Sequence, residues 1–145
     1  MKTLYDTDFH AWALDQAQRL RAGEKIDAEN VAEELETLGK SQQRELESRI
    51  AQIIEHLLKL HFLPDYLREP NERGWKVSVI KQRAAIQQLL EQSPSLQRML
   101  TEEVLAESYQ DGLESFRITD YEMLGSAPAQ CPFTWEEILE GKKGK

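Results

Sequence analysis

The chain has 145 residues, of which 40% are hydrophobic and 30% are charged, enough for one domain of ordinary globular composition. Its formal net charge of −8 argues against nonspecific binding to nucleic acid or to anionic lipid, because both need a cationic surface. A single cysteine, Cys131, excludes an internal disulfide framework, and the lack of an apolar signal or membrane-spanning run predicts a cytoplasmic protein.

The first part of the chain predicts two helices. The first begins at Asp6 or Thr7, presents one apolar face and runs to Ala22, where Gly23 ends it. The second begins at Asp27, a residue type that commonly caps a helix N-terminus. Its predicted buried residues are Val31, Leu35 and Leu38.

Gly39 predicts a helical hairpin. Glycine is the usual left-handed residue after a helix, and Ser41 is placed to cap the helix that follows. This third helix runs to about Leu63, since Pro64 cannot continue it. Its predicted inner face consists of Leu46, Ile50, Ile53, Ile54, Leu57, Leu60 and His61. The hairpin would place carboxylates and imidazoles near its seam.

Two more long helices follow a proline-containing loop. The fourth helix has a buried face at helical spacing, namely Trp75, Val79, Gln82, Ile86, Leu89 and Leu90. Ser93-Pro94 predicts the start of a short helical turn, because serine caps a helix and proline fits its first position. Thr101 then begins a fifth helix that reaches Phe116. That helix is predicted to bury Leu105, Tyr109, Gly112 or Leu113, and Phe116. Residues 118–132 are predicted to be a loop.

The most complete signal for the start of a helix lies near the C-terminus. Residues 134–137 read Thr-Trp-Glu-Glu, a capping box, with Phe133 and Ile138 placed as a hydrophobic staple. A short closing helix from Trp135 to about Glu140 follows, with Trp135 and Ile138 buried. Because no segment alternates apolar and polar residues, the predicted fold is all-α. We expect a single-domain helical bundle, residues 1–141, of about five main helices plus this short one, and a disordered tail at 142–145.

Several segments resemble the bacterial "domain of unknown function 29" family. They are Tyr5-Asp6-Thr7-Asp8-Phe9-His10-Ala11-Trp12, Glu33-Glu34-Leu35-Glu36-Thr37-Leu38-Gly39, His56-Leu57-Leu58-Lys59, Ser93-Pro94-Ser95-Leu96 and Cys131-Pro132-Phe133-Thr134. They follow the family's order over nearly the whole chain, although Leu60-His61 stands where the family usually has a tryptophan. The resemblance implies a stand-alone α-helical cytoplasmic protein of bacteria. It implies no established activity, and no catalytic residue is carried over.

The sharpest chemical hypothesis is a metal or acid–base site. Its candidate residues are Glu33, Glu34 and Glu36 with His56, and His10 as a further member. Metal-binding helical bundles use Glu-x-x-His pairs on one helix, and this chain contains none. We therefore predict that His56 is structural and hydrogen-bonds a carboxylate of the second helix, Glu34 first. A metal-binding or enzymatic bundle, with Glu34 and His56 as ligands, remains an alternative.

The leading interpretation is a protein–protein interaction module that binds another protein or itself. No nucleophile motif, phosphate loop or cofactor cradle is present, so we predict neither catalysis nor a cofactor. Apolar residues outside the main helix faces are predicted to form the contact surface: Leu58, Val77, Ile80 and Ala84. A further alternative is a regulator that binds nucleic acid weakly through the basic segment Arg68–Arg83. Internal ion pairing with neighbouring helices is the preferred explanation of that segment, because surface charges mostly face water or each other.

Overall fold

In the computed structural model, residues 2–121 and 127–141 are described, and within these ranges the chain forms helices and no strand. The all-α prediction is therefore confirmed. The helices are α1 Leu4–Thr7, α2 Phe9–Ala22, α3 Ala28–Phe62, α4 Asp65–Arg68, α5 Glu72–Gln92, α6 Glu102–Phe116 and α7 Trp135–Leu139. A 3-10 helix spans Pro94–Met99, and a π-helical turn spans Arg117–Tyr121.

The first predicted helix is two helices, separated at Asp8. The Asp8 carboxylate accepts a hydrogen bond from the backbone N–H of Ala11 at 3.1 Å, which caps α2. At the other end, Gly23 adopts φ 73° and its N–H bonds back to Arg19 and Leu20. The stop at Gly23 is confirmed, because the left-handed conformation closes the last turn there.

The hairpin predicted at Gly39 is wrong, because α3 continues through it without interruption. Gly39 does not adopt the positive φ of Gly23, and no atom lies within 4 Å of where its side chain would be. A helical glycine costs only about 1 kcal/mol, and the glutamate, leucine, lysine and glutamine residues around it favour helix. Without a proline nearby, these neighbours outweigh the glycine. Ser41 is accordingly a mid-helix residue.

The burial predicted along this helix is right in its second half and wrong in its first. Leu46, Ile50, Ile53, Ile54 and Leu57 are buried as expected. Leu35 and Leu38, however, are 63% and 65% exposed, and every residue from 35 to 45 is exposed. His61, assigned to the inner face, is also exposed. Periodicity identifies an apolar face but does not tell whether another helix covers it.

The chain divides into two compact units, an N-terminal unit Met1–Gln42 and a C-terminal unit Gln43–Lys145. One cooperative domain over residues 1–141 stays a prediction, and residues 142–145 lie outside the described ranges.

The N-terminal unit is organised around Trp12. The Trp12 ring stacks edge-on against Tyr5, with centroids 4.7 Å apart, and its Nε1 donates to Asp27 Oδ2 at 3.2 Å. Gln16 Oε1 accepts the backbone N–H of Asp27 at 2.6 Å. The Asn30 amide and the Trp12 indole hold the pKa of Asp27 below its ordinary value, against the opposing effect of burial. Asp27 thus ties α2 to the start of α3.

The C-terminal unit holds most of the core, which α3, α5 and α6 build. Gly112 sets the approach of α6 to α3: a Cβ there would lie 2.8 Å from Ile54 Cγ2 and 2.9 Å from the Ala51 carbonyl. The predicted buried face of α6 is confirmed, since Leu105, Tyr109, Gly112, Leu113 and Phe116 are all buried. Thr101 caps this helix as predicted, its side chain accepting from Val104 N.

The closing helix α7 is confirmed with its capping box. Glu137 N donates to Thr134 Oγ1 at 3.1 Å, and Thr134 N donates to the Glu137 carboxylate at 3.2 Å. Phe133 and Ile138 are buried, whereas Trp135 is only half-buried and donates its indole N–H to the Thr101 carbonyl. The predicted loop begins later than expected, because the π-helical turn extends α6, and residues 122–126 of it lie outside the described ranges.

Candidate functional site

The glutamate and histidine residues of the predicted chemical site do not meet. His56 Nδ1 lies 2.8 Å from the Gln52 carbonyl one turn earlier, and Glu34 accepts a hydrogen bond from Tyr5 at 2.6 Å. Glu34 and His56 belong to the same continuous helix, about six turns apart at 3.6 residues per turn. The predicted His56–Glu34 pair is therefore wrong, and the reason is the missing hairpin.

The described residues contain no group of three His, Cys, Asp or Glu side chains arranged to hold a metal ion. His10, Glu33 and Glu36 are exposed on α2 and α3. The thiol of Cys131 donates to the Phe133 carbonyl at 3.3 Å, and burial raises its pKa, which favours the unreactive protonated form.

An open groove of about 510 Å³ lies between α3 and α6. Its lining includes the hydroxyls of Ser48 and Ser115 and the carboxylate of Asp111, but no histidine. None of its lining residues can therefore act as an imidazole base toward a serine, as nucleophilic catalysis by a hydroxyl commonly requires.

Lys59 is a buried polar residue that was not predicted from the sequence. It is buried, its Nζ lies 3.6 Å from Glu55 Oε1, and the same atom lies 5.5 Å from the centroid of the Trp75 ring. The ion pair and the cation–π contact explain how an ammonium group is accommodated next to the core. The available signal was the Glu55–Lys59 spacing of four residues, which places both on one side of a helix.

The basic segment Arg68–Arg83 is largely engaged within the protein. Arg68 pairs with Asp65, and Lys76 pairs with Glu72 at 3.1 Å. Arg83 donates to the carbonyls of Ile138 and Glu137 at 2.9 and 2.8 Å. Burial lowers the pKa of Arg83, and its guanidinium serves to hold the end of α7. Of the five cations, Arg73, Lys81 and Arg83 form no ion pair with another described residue, and Arg83 is held instead by its two hydrogen bonds.

The four residues predicted to form a contact surface divide into one buried and three exposed. Leu58 is fully buried, so its assignment is wrong. It lies between two other buried residues, Leu57 and Lys59, which shows that this part of α3 is covered on more than one side. Val77 is 40% exposed, Ile80 is 63% exposed, and Ala84 is exposed too. These three residues lie opposite the buried side of α5.

Three cations surround these apolar residues. At 100° per residue, Val77, Ile80 and Ala84 fall within about 60° of one another, with Arg73 among them. Lys76 and Lys81 follow on the two sides of the strip. We call this set (Arg73, Lys76, Val77, Ile80, Lys81 and Ala84) the α5 surface. It combines an apolar centre with a positive border.

None of the described helices combines the length and the apolar content that crossing a bilayer requires. Comparison with protein families matches residues 4–142 to the model described as Domain of unknown function DUF29. No curated protein and no solved structure matches the chain.

Proposed function

We propose that this chain, which belongs to the DUF29 family of unknown function, is an interaction module that binds a protein partner through the α5 surface. The observation that carries the proposal is Ile80, a large aliphatic side chain that is 63% exposed at the centre of the solvent face of a long helix. Contiguous exposed apolar residues bordered by polar ones mark contact sites in soluble proteins.

The opposite side of α5 supports the proposal, because it fixes the surface in place. Val79, Ile86 and Leu89 are buried in the core, so the helix that presents Val77 and Ile80 is anchored along its length. A surface that is already ordered before binding loses little conformational entropy when its partner arrives.

The border of the surface indicates the chemistry of the partner. Arg73 and Lys81 have no ion pair with another described residue, and positive borders favour partners with carboxylates at matching positions. The partner is therefore expected to present apolar residues flanked by aspartate or glutamate. We place this interaction in the bacterial cytoplasm, where Cys131 would remain a free thiol.

A cross-linking and affinity-purification experiment tests the proposal. The wild-type chain and an Ile80→Asp variant are cross-linked in cells, purified, and their bound proteins identified by mass spectrometry. We expect the bound protein to be lost from Ile80→Asp, because an aspartate would place a charge in the apolar centre. A partner that is retained equally by both chains would contradict the proposal.

Ile118→Asp is the matched control, since Ile118 is also a highly exposed isoleucine but lies outside the α5 surface. The control should retain the partner. Equal thermal unfolding of both variants and the wild type would show that neither substitution acts through folding.

The two alternatives have less support. A nucleic-acid surface in Arg68–Arg83 would have to use cations of which Arg68, Lys76 and Arg83 already have partners. A metal-binding bundle would need ligands that the described residues do not bring together. Elemental analysis of the purified protein tests the second alternative. About one transition metal per chain, lost in His56→Ala, would favour it.

A further inference from the structure

We infer that residues 35–45 of α3 open from helix to coil while the parts of α3 before and after them stay helical. We call these residues the α3 middle segment. Such an opening is a conformational device of the fold, because it makes the backbone of a long helix accessible without unfolding the core. The inference does not depend on the proposed function.

The α3 middle segment is exposed along its whole length. Every residue from 35 to 45 is exposed, including Leu35 and Leu38 at 63% and 65%. Most of the stability of a helix in a folded protein comes from the packing of its apolar face. That contribution is small here, so the segment depends mainly on the hydrogen bonds of its own backbone.

The residues next to the segment are held by tertiary contacts. On the N-terminal side, Glu34 accepts a hydrogen bond from the Tyr5 hydroxyl at 2.6 Å. On the C-terminal side, Leu46 and Ile50 are fully buried in the core. An opening that spread beyond the segment would break these contacts, so the opening is confined to the residues between them.

Gly39 lies near the middle of the segment and favours the coil. Glycine has more backbone freedom in the coil than any other residue and loses it when the helix forms. A Cβ at Gly39 would meet no atom within 4 Å, whereas one at Gly112 would lie 2.8 Å from Ile54 Cγ2. No close packing requires a glycine at position 39, and its effect on α3 is to weaken the helix there.

The charged side chains of the segment do not offset this weakness. Glu36 lies four residues before Lys40, and Arg44 lies four residues after it, so the attraction and the repulsion on the lysine are of similar size. None of these three residues forms an ion pair with another described residue. The helix formers around Gly39 keep the helix as the main form, and the open form is the minor one.

Amide hydrogen exchange of the full chain, resolved by residue with NMR, tests the inference. The amides of residues 39–45 donate to the carbonyls of residues 35–41. We expect their protection factors to be lower than those of residues 50–58 by about tenfold or more. Low concentrations of urea should leave exchange in the segment unchanged, because a local opening exposes little surface, and should accelerate exchange at residues 50–58.

Gly39→Ala should raise the protection factors of the segment by about two- to fivefold, because alanine lowers the entropy of the coil. Gly74→Ala is the matched control. Gly74 is also a helical glycine, in α5, and no atom lies within 4 Å of where its Cβ would be. The control should leave the protection of the segment unchanged. Both variants should fold, since neither new Cβ meets another atom.

Limited digestion with trypsin measures the same opening independently. Lys40 and Arg44 lie in the segment, whereas Lys76 and Lys81 are exposed on α5, whose opposite side is buried in the core. Cleavage of a folded chain follows the population of the locally opened form. We expect cleavage after Lys40 or Arg44 to be faster than after Lys76 or Lys81 by about tenfold or more, and slower in Gly39→Ala.

Three results would overturn the inference. The first is equal protection of the segment and of residues 50–58 with the same dependence on urea. The second is a Gly39→Ala variant that leaves the segment unchanged or raises protection equally in both regions, since the core would then open with the segment. The third is cleavage after Lys40 and Arg44 that is no faster than cleavage after Lys76 and Lys81.

Discussion

The hydrogen bond between Tyr5 and Glu34 connects the start of the chain to α3. The Tyr5 hydroxyl donates to Glu34 Oε1 at 2.6 Å, and this bond is the main cause that raises the pKa of Tyr5 to about 12. Burial and the neighbouring carboxylates of Glu34, Glu33 and Asp6 raise the pKa further. The charged phenolate would face carboxylates, so the neutral form is favoured.

Because the pKa of Tyr5 is raised, we expect the N-terminal unit to lose stability in strong alkali. Its pKa in the folded chain lies above the ordinary value of 10.0. The stabilisation is complete below pH 10 and is lost as the pH rises through about 12. The ultraviolet absorbance of the phenolate, compared between wild type and Tyr5→Phe, should give a midpoint near 12. A Glu34→Gln variant should lower that midpoint toward 10; a wild-type midpoint already at 10 would contradict this assignment.

A contact of a single residue also explains why the predicted pair of His56 and Glu34 does not form. His56 needed a polar partner, and the Gln52 carbonyl of its own helix supplied it. A backbone carbonyl four residues earlier is available in every helix, so the requirement for a partner did not imply a carboxylate on another helix.

Among the helices, α3 differs most from the prediction, because it is one continuous helix where two helices were expected. A glycine ends a helix when the following residues leave the helical path, as at Gly23, where the chain turns toward Asp27. Gly39 is followed by residues that favour helix, and the helix passes through it. The two glycines have the same chemistry and differ in their backbone conformation.

Substitution by alanine distinguishes the two glycines. Gly39→Ala should stabilise the protein by about 0.5–1 kcal/mol, because the position is helical and open and alanine lowers the entropy of the unfolded chain. Gly23→Ala should destabilise it, because alanine is strained at φ 73°. Chemical denaturation measures both changes. A loss of stability in Gly39→Ala would favour the hairpin over the continuous helix.

At the scale of the whole molecule, the C-terminal helix closes the C-terminal unit. Phe133, just before α7, and Ile138, within it, are buried in the core, while Arg83 of α5 donates to two carbonyls near the end of α7. Gly141 lies close against this guanidinium, since a Cβ there would be 2.9 Å from Arg83 Nη1. Residues 133–141 are thus attached by apolar burial and by hydrogen bonds to an arginine.

Removal of residues 132–145 should therefore lower the free energy of unfolding by several kcal/mol. Burying each large apolar side chain contributes roughly 1.5–3 kcal/mol, and both Phe133 and Ile138 would be lost. Urea denaturation followed by circular dichroism measures the change. Glu136→Ala, an exposed change on the same helix, should have an effect near zero. A truncated chain as stable as the wild type would show that α7 is dispensable.

Features that depend on a few neighbouring residues were predictable from the sequence alone. The all-α class, the stop at Gly23, the cap at Thr101 and the capping box at Thr134 each follow from hydrogen bonds that close within about one helical turn. The buried face of α6 was also predictable, because its apolar spacing is regular. The exposed strip of Val77, Ile80 and Ala84 followed from the same periodicity.

Only the tertiary structure decided which faces are covered. Leu58 and Leu35 both belong to α3, yet the first is fully buried and the second is 63% exposed, because Leu58 lies in the core whereas every residue from 35 to 45 is exposed. The roles of Arg83 and Lys59 depend in the same way on distant residues, Ile138 and Trp75. Burial depends on neighbours that are remote in sequence, whereas helix formation and capping depend on neighbours along the chain.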